Sequence, residues 1–149
     1  MKNRECIIVF NSEKKHAEKL LDDVDRFLND QSIKTVIYRY SQFTDEENSS
    51  HSLPAEISVK LESIDFILSI GGDGTLLYTA RLFAPYGLPI IGVNVGKLGF
   101  ITETTEEDLK DEIVSFVNGK NKTSERMMLE AKIYRKGKLL SSFTALNDI

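Results

Sequence analysis

The sequence predicts an α/β protein: an open, mostly parallel β-sheet with flanking helices, followed by the first strands of an all-β second domain. Short apolar runs alternate with amphipathic stretches over residues 1–121, which is typical of βαβ units. The predicted strand runs look fully buried rather than alternating, as a sheet covered on both faces requires. We therefore predict an α/β domain over residues 1–121 and the incomplete start of a β-rich domain over residues 122–149.

The first predicted elements are two strands separated by an amphipathic helix. Residues 5–10 predict a short buried strand, and residues 33–40 predict a second strand. The apolar residues between these runs recur at helical spacing: Ala17, Leu20, Leu21, Val24, Phe27 and Leu28. Residues 42–60 are polar and acidic, and they predict a surface loop that contains a short helix.

Two further strands and two helices follow along the chain. Residues 64–70 and 88–94 are apolar runs typical of buried strands, and an amphipathic helix begins between them at residue 75. Pro85 helps to end that helix, because proline does not continue a helix. Residues 104–107 resemble a capping box and predict the start of the next helix, which Asn-Gly at residues 118–119 ends.

The last segment predicts a β-hairpin. Residues 127–134 and 139–144 are strand-like, and they flank a turn over residues 135–138. Because an isolated hairpin does not bury its own face, we expect the chain to be part of a longer protein.

Composition restricts the classes of function. The formal net charge of −4 argues against nucleic acid or an anionic membrane as a partner. No apolar run approaches the roughly 20 residues that span a bilayer. The single cysteine, Cys6, excludes an internal disulfide, and with no predicted signal peptide it favours a cytoplasmic location.

The most informative segment is Gly-Gly-Asp-Gly-Thr at residues 71–75, between a predicted buried strand and a helix. Glycines let backbone N–H groups approach a ligand, and a helix N-terminus favours phosphate. Asp73 would repel phosphate unless a metal ion or a transferable proton takes part. The segment therefore predicts phosphoryl transfer. Asp73 and Asn94 both follow strands of a parallel sheet, so we expect them to share one crevice.

Four segments together resemble the NAD kinase family. The Gly-Gly-Asp-Gly-Thr pentapeptide alone is shared with diacylglycerol-type lipid kinases and phosphofructokinases. Residues 92–101 (Gly-Val-Asn-Val-Gly-Lys-Leu-Gly-Phe-Ile) are similar to the family's Gly-x-Asn-x-Gly-x-Leu-Gly-Phe-Leu segment. Residues 126–129 resemble its Arg-x-x-Leu strand, and residues 145–148 resemble its Asn-Glu/Asp motif. The resemblance implies a kinase that phosphorylates the adenosine-ribose 2′-hydroxyl of NAD to give NADP.

The resemblance assigns roles to the residues of the glycine-rich turn. Asp73 would be the general base that orients the ribose hydroxyl and takes its proton. Gly72 and Gly74 would bring the backbone close to the nucleotide. Thr75 would either cap the helix or contact phosphate. The alternative for Asp73, a helix-capping aspartate, leaves the flanking glycines unexplained.

The resemblance also implies nucleotide-binding residues outside the turn. Phe100 would contact the NAD adenine, with core packing beside Leu98 as the alternative. Asn94 would bind nucleotide or only form a turn. Arg126 would be a phosphate ligand or a surface charge.

The last two implied binding residues are Asn147 and Asp148, which would hydrogen-bond the NAD ribose and adenine. Asp148 stands where the family more often has Glu, which shortens the carboxylate's reach by one methylene.

The resemblance further implies substrates and partners. The phosphate donor would be ATP or polyphosphate, with Mg²⁺ or another divalent cation, and no residue is assigned as a metal ligand. The full-length protein would form dimers or tetramers. Two alternatives stay open: a diacylglycerol-type lipid kinase domain, and a non-catalytic fragment that binds nucleotide or pairs with another subunit.

Overall fold

The computed structural model describes residues 4–41, 53, 55–96, 99–102 and 104–146. Its strands are β1 Arg4–Asn11, β2 Ile33–Tyr40, β3 Phe66–Gly71, β4 Ile90–Asn94, β5 Met128–Arg135 and β6 Lys138–Leu146. Its helices are α1 Lys15–Asp30, α2 Ala55–Ser58, α3 Asp73–Phe83 and α4 Leu109–Val117. Single 3₁₀ turns lie at Leu61–Ser63 and Ala84–Tyr86.

The first four strands form one parallel sheet in the order β2-β1-β3-β4. The chain passes from β1 to β2 on one side and then returns across β1 to β3 on the other. Strand order therefore reverses between β1 and β3, which makes that position the switch point of the sheet. The predicted parallel sheet with flanking helices is confirmed.

Helices cover both faces of this sheet. On one face, α1 and α4 bury the side chains of the even-numbered residues of β1 and β3, among them Phe10 and Phe66. On the other face, α2 and α3 pack against the odd-numbered residues, including Ile7 and Ile67. All six residues of β3 are buried, which explains why its sequence is apolar except for Ser69.

Phe66 gives the first prediction, which concerns stability. Its side chain is fully buried and its ring lies 5.1 Å from the ring of Phe116. Phe66→Ala should lower the free energy of unfolding by about 3–5 kcal/mol, because it removes apolar contacts and leaves a cavity. Chemical denaturation measures this loss. Val59→Ala, at a side chain that is 84% exposed, should change stability by less than about 0.5 kcal/mol. Equal effects of the two substitutions would contradict this account of the core.

Strands β5 and β6 form the predicted antiparallel hairpin. Lys136 and Gly137 connect them, with φ angles of 49° and 77°. Two successive positive φ angles are those of a type I′ turn, which matches the twist of paired strands. The end of β6 packs against α3, and Ala145 and Leu146 are buried there.

Two helix starts differ from the sequence prediction. Helix α3 begins at Asp73 rather than at residue 75, because the chain enters the helix directly from the extended Gly72. Helix α4 begins at Leu109, later than the capping box at residues 104–107 predicted. The Thr105 hydroxyl donates to Asp108 Oδ2 at 2.7 Å and accepts from the Asp108 N–H at 3.2 Å. These bonds hold a turn over residues 106–108 that precedes the helix.

Most of the predicted loop at residues 42–60 lies outside the described residues. Within its described part, Ala55–Ser58 form one helical turn. Among the residues that the structure describes, none of the helices has the length and apolar character to cross a membrane.

Candidate active site

The glycine-rich turn lies at the switch point of the sheet, where α/β sheets bind ligands. Residues 71–73 leave the carboxyl end of β3, beside the carboxyl end of β1. Any side chain at Gly71 would overlap the hydroxyl and Cβ of Thr75, which is itself buried. Gly71 therefore permits the close packing of α3 on the end of its own strand.

Asp73 is the first residue of α3, and its carboxylate holds the loop that follows β4. Its Oδ2 accepts a hydrogen bond from the Phe100 N–H at 2.8 Å. Its Oδ1 accepts bonds from the N–H groups of Ile101 (3.2 Å) and Thr102 (3.1 Å). The Thr102 hydroxyl also donates to Oδ1, at 2.9 Å. These bonds use the roughly four acceptor positions of a carboxylate.

The hydrogen bonds to Asp73 keep it ionised. The Phe100 N–H contributes most, followed by the Thr102 N–H, and together these donors lower the pKa of Asp73 to about 2. The site therefore carries a fixed negative charge at neutral pH.

Gly99 makes this arrangement possible. A Cβ at Gly99 would overlap Asp73 Oδ1 and would stand 2.7 Å from the Thr102 hydroxyl oxygen. The loop therefore approaches the carboxylate only because residue 99 has no side chain.

Lys14 places a positive charge beside Gly71 and Gly72 of the glycine-rich turn. It belongs to the connection between β1 and α1, and its ammonium donates to the carbonyl oxygens of Gly71 (3.2 Å) and Val95 (3.4 Å). A Cβ at Gly72 would stand 3.2 Å from Lys14 Nζ. Lys14 follows β1 and bonds to the ends of β3 and β4, so it connects three strands near the switch point.

The structure brings together most of the predicted site residues. Asn94 is buried at the end of β4, and its Oδ1 would stand 3.9 Å from a Cβ at Gly72, so Asn94 lies beside the glycine-rich turn. That Asn94 and Asp73 share one binding crevice stays a prediction. Gly74 has open space around it. Thr75 is buried against Gly71, and its role as a helix cap or a phosphate contact stays a prediction.

The side chains of the remaining predicted residues are exposed or are not described. Phe100 is 101% exposed, so the alternative of core packing beside Leu98 is wrong. Arg126 is exposed and precedes β5. Asn147 and Asp148 lie outside the described residues.

The sequence prediction missed Lys14, Gly99 and Thr102. A signal existed for Lys14, because it follows the first strand by three residues and loops at this edge of a parallel sheet form the site. Gly99 was part of a recognised segment but was not assigned a role. Nothing in the sequence singled out Thr102.

Fold and site define an α/β domain with a glycine-rich turn and an ionised aspartate at its switch point. The chain belongs to the ATP-NAD kinase family, because residues 6–121 match the profile of the ATP-NAD kinase N-terminal domain. The family resemblance predicted from the sequence is confirmed.

Sequence comparisons with individual relatives support this family membership. The chain is 48% identical over 99 residues to a protein named NAD kinase from Heliobacterium modesticaldum, covering 66% of this chain and 35% of the relative. It is 35% identical over 145 residues to the NAD kinase of Treponema denticola, covering 97% of this chain and 47% of the relative. The chain thus spans between a third and a half of the length of these relatives.

A solved structure shares the fold. The crystal structure of yeast NADH kinase complexed with NADH superposes with a TM-score of 0.72 at 17% identity, over 97% of this chain and 46% of that one.

Proposed function

We propose that this chain is the catalytic α/β part of an NAD kinase, which transfers the γ-phosphoryl group of ATP to the adenosine-ribose 2′-hydroxyl of NAD. The observation that carries the proposal is the ionised Asp73 at the N-terminus of α3, in the glycine-rich turn of an ATP-NAD kinase family member. In the reaction, the 2′-oxygen forms a bond to the γ-phosphorus as the bond from that phosphorus to the bridging oxygen breaks. ADP leaves, and the hydroxyl proton is released.

Asp73 would act mainly by orienting the acceptor hydroxyl. A carboxylate with a pKa of about 2 is a weak base, so its value lies in positioning more than in proton affinity. Its acceptor positions are already used by residues 100–102, so the substrate hydroxyl must replace one of those hydrogen bonds. Substrate binding is therefore expected to shift the 99–102 loop.

Other residues would bind the nucleotides. Backbone N–H groups at Gly72 and Gly74 would approach phosphate, with help from the positive end of α3. Thr75 would contribute its backbone N–H, since its side chain is buried against Gly71. Asn94, which is buried at the end of β4 beside Gly72, would also bind the nucleotide.

We propose that the NAD adenine contacts the exposed ring of Phe100. This residue lies on the loop whose backbone is hydrogen-bonded to the Asp73 carboxylate. Asn147 and Asp148 would hydrogen-bond the NAD ribose and adenine, and Arg126 would bind phosphate.

A divalent cation would arrive with the triphosphate. Among the described residues, no three His, Cys, Asp or Glu side chains are grouped to hold a metal ion. Mg²⁺ usually binds through substrate phosphates and few protein groups, so we treat Mg²⁺–ATP as the substrate. We further propose a cytoplasmic location and a dimeric or tetrameric full-length protein.

The proposal is tested by incubating the chain with NAD, ATP and Mg²⁺ and measuring NADP with an NADP-specific dehydrogenase. We expect NADP to form. NAD binding by calorimetry without NADP would instead identify a non-catalytic binding unit. Transfer of label from ATP to diacylglycerol rather than to NAD would identify a lipid kinase.

Phe100→Ala provides a prediction for the adenine site. Loss of a stacked base costs about 1–3 kcal/mol, so the KM for NAD should rise by about 10-fold or more while the KM for ATP changes little. Steady-state kinetics measures both. Tyr86→Ala is the matched control, because Tyr86 is also an exposed aromatic residue but lies at the far end of α3. Equal effects of the two substitutions would remove Phe100 from the NAD site.

A further inference from the structure

We propose that Lys14 is the cationic residue that binds the polyphosphate chain of the phosphate donor at the glycine-rich turn. This inference rests on the proposed function for the identity of the donor. It adds a binding residue on the connection between β1 and α1, away from the four segments that resemble the family.

The backbone around Lys14 is held in a fixed turn. The Lys14 N–H donates to the Asn11 carbonyl oxygen at 3.2 Å, and the Glu13 N–H donates to Asn11 Oδ1 at 2.9 Å. Lys14 then serves as the N-cap residue of α1. Because α1 is a 16-residue helix packed on the sheet, the lysine stem starts from a rigid position.

The ammonium group has capacity for an anion. Two of its three N–H donors point to the carbonyl oxygens of Gly71 and Val95. The third donor is available to a ligand. None of the ion pairs found among the described residues involves Lys14, so no carboxylate there neutralises its charge.

The space next to the ammonium is suited to phosphate. Gly72 has no side chain to fill it, and a Cβ at that position would stand 3.2 Å from Lys14 Nζ. The same turn starts α3, an 11-residue helix whose first N–H groups have no side-chain cap. A phosphate here would meet backbone donors from one side and the lysine from the other.

The negative charge of Asp73 is a further reason for a cation at the phosphate site. The ionised carboxylate repels the donor's phosphates, and the lysine beside Gly71 and Gly72 offsets that repulsion. The competing explanation is purely structural: the ammonium only joins the ends of β3 and β4. Both explanations predict some loss of stability in a Lys14 variant, so phosphate affinity must be measured separately.

Binding of inorganic tripolyphosphate tests the inference without requiring catalysis. Lys14→Gln should weaken tripolyphosphate binding by about 10-fold in calorimetry at low salt, since it removes one charge-assisted contact. The control is Lys15→Gln, which removes the same charge at the next exposed residue and should leave affinity unchanged. Unchanged affinity in Lys14→Gln, an equal loss in both variants, or no binding by the unsubstituted chain would each overturn the inference.

A second measurement avoids the need for a stable variant. In the unsubstituted chain, tripolyphosphate should slow amine acetylation of Lys14 about 10-fold, measured by mass spectrometry, while Lys15 reacts at the same rate with and without the ligand. Equal protection of both lysines, or of neither, would refute the role. If Lys14 is protected but no NADP forms, the phosphate site stands and the proposed NAD kinase function fails.

Discussion

Asp73→Asn is expected to lower the rate of NADP formation by a factor of about 10² to 10⁴, the range typical of a lost acid–base group. The substitution preserves shape but removes the negative charge that we propose orients the acceptor hydroxyl. It also disturbs the loop, because an amide cannot accept at both positions. If its oxygen takes the place of Oδ1, its NH₂ group faces the Phe100 N–H, and two donors oppose each other.

Steady-state kinetics and thermal unfolding should be measured together on this variant. The matched control is Asp65→Asn, since Asp65 Oδ2 also accepts a backbone N–H bond, from Glu5 at 3.1 Å, but at the opposite edge of the sheet. We expect Asp65→Asn to retain full turnover. Undiminished turnover in Asp73→Asn would show that the acceptor hydroxyl is oriented by another group.

The pH dependence of turnover distinguishes two roles of Asp73: positioning the acceptor hydroxyl and accepting its proton. The folded-state pKa of Asp73 is lowered to about 2, below the usual value of about 3.9, so the carboxylate stays ionised at all pH values above about 4. Its contribution to loop stability is present above the usual value and is lost as the pH falls toward 2. Turnover should therefore show no acid limb from Asp73 between about pH 5 and 8. An acid limb near neutrality that disappears in Asp73→Asn would contradict this assignment.

The sequence predicted the sheet well because burial imposes a strong pattern. Strand β2 has the predicted bounds, and β3, buried on both faces, is apolar except for the buried Ser69. The start of α3 was less predictable. Gly74 is a poor helix former, so its propensity argues against a helix that already includes residues 73 and 74. The contacts of the Asp73 carboxylate with the 99–102 loop join residues 27 to 29 positions apart, and no local pattern reports them.

The sequence pointed to site residues only where they lie within a recognisable local segment. Asp73 was identified because the glycines around it are local and unusual. The contact between Lys14 and Gly71 spans 57 positions and depends on the order of the strands. The exposure of Phe100 is likewise a tertiary result: the bonds from residues 100–102 to Asp73 fix the loop backbone and leave the ring pointing outward.

Gly99→Ala is expected to reduce turnover by about 10- to 100-fold, although residue 99 carries no functional group. The added Cβ would overlap Asp73 Oδ1 and crowd the Thr102 hydroxyl, so the carboxylate or the loop must move. A misplacement of about 1 Å in a positioning group is enough for a loss of this size. The core strands are not involved, so the unfolding temperature should fall by only a few degrees, about the effect of 1 kcal/mol or less.

A double-mutant cycle tests whether Gly99 acts through Asp73. If the methyl group of alanine lowers turnover by displacing the carboxylate, it should lower turnover little further in a variant that lacks the carboxylate. The double variant with Asp73→Asn should then be about as slow as Asp73→Asn alone, which is the non-additivity expected of residues in contact. Full additivity would mean that Gly99 serves another purpose, such as close approach of the nucleotide to the backbone. The choice between these outcomes decides whether the missing side chain at residue 99 serves to position the carboxylate or to admit the nucleotide to the backbone.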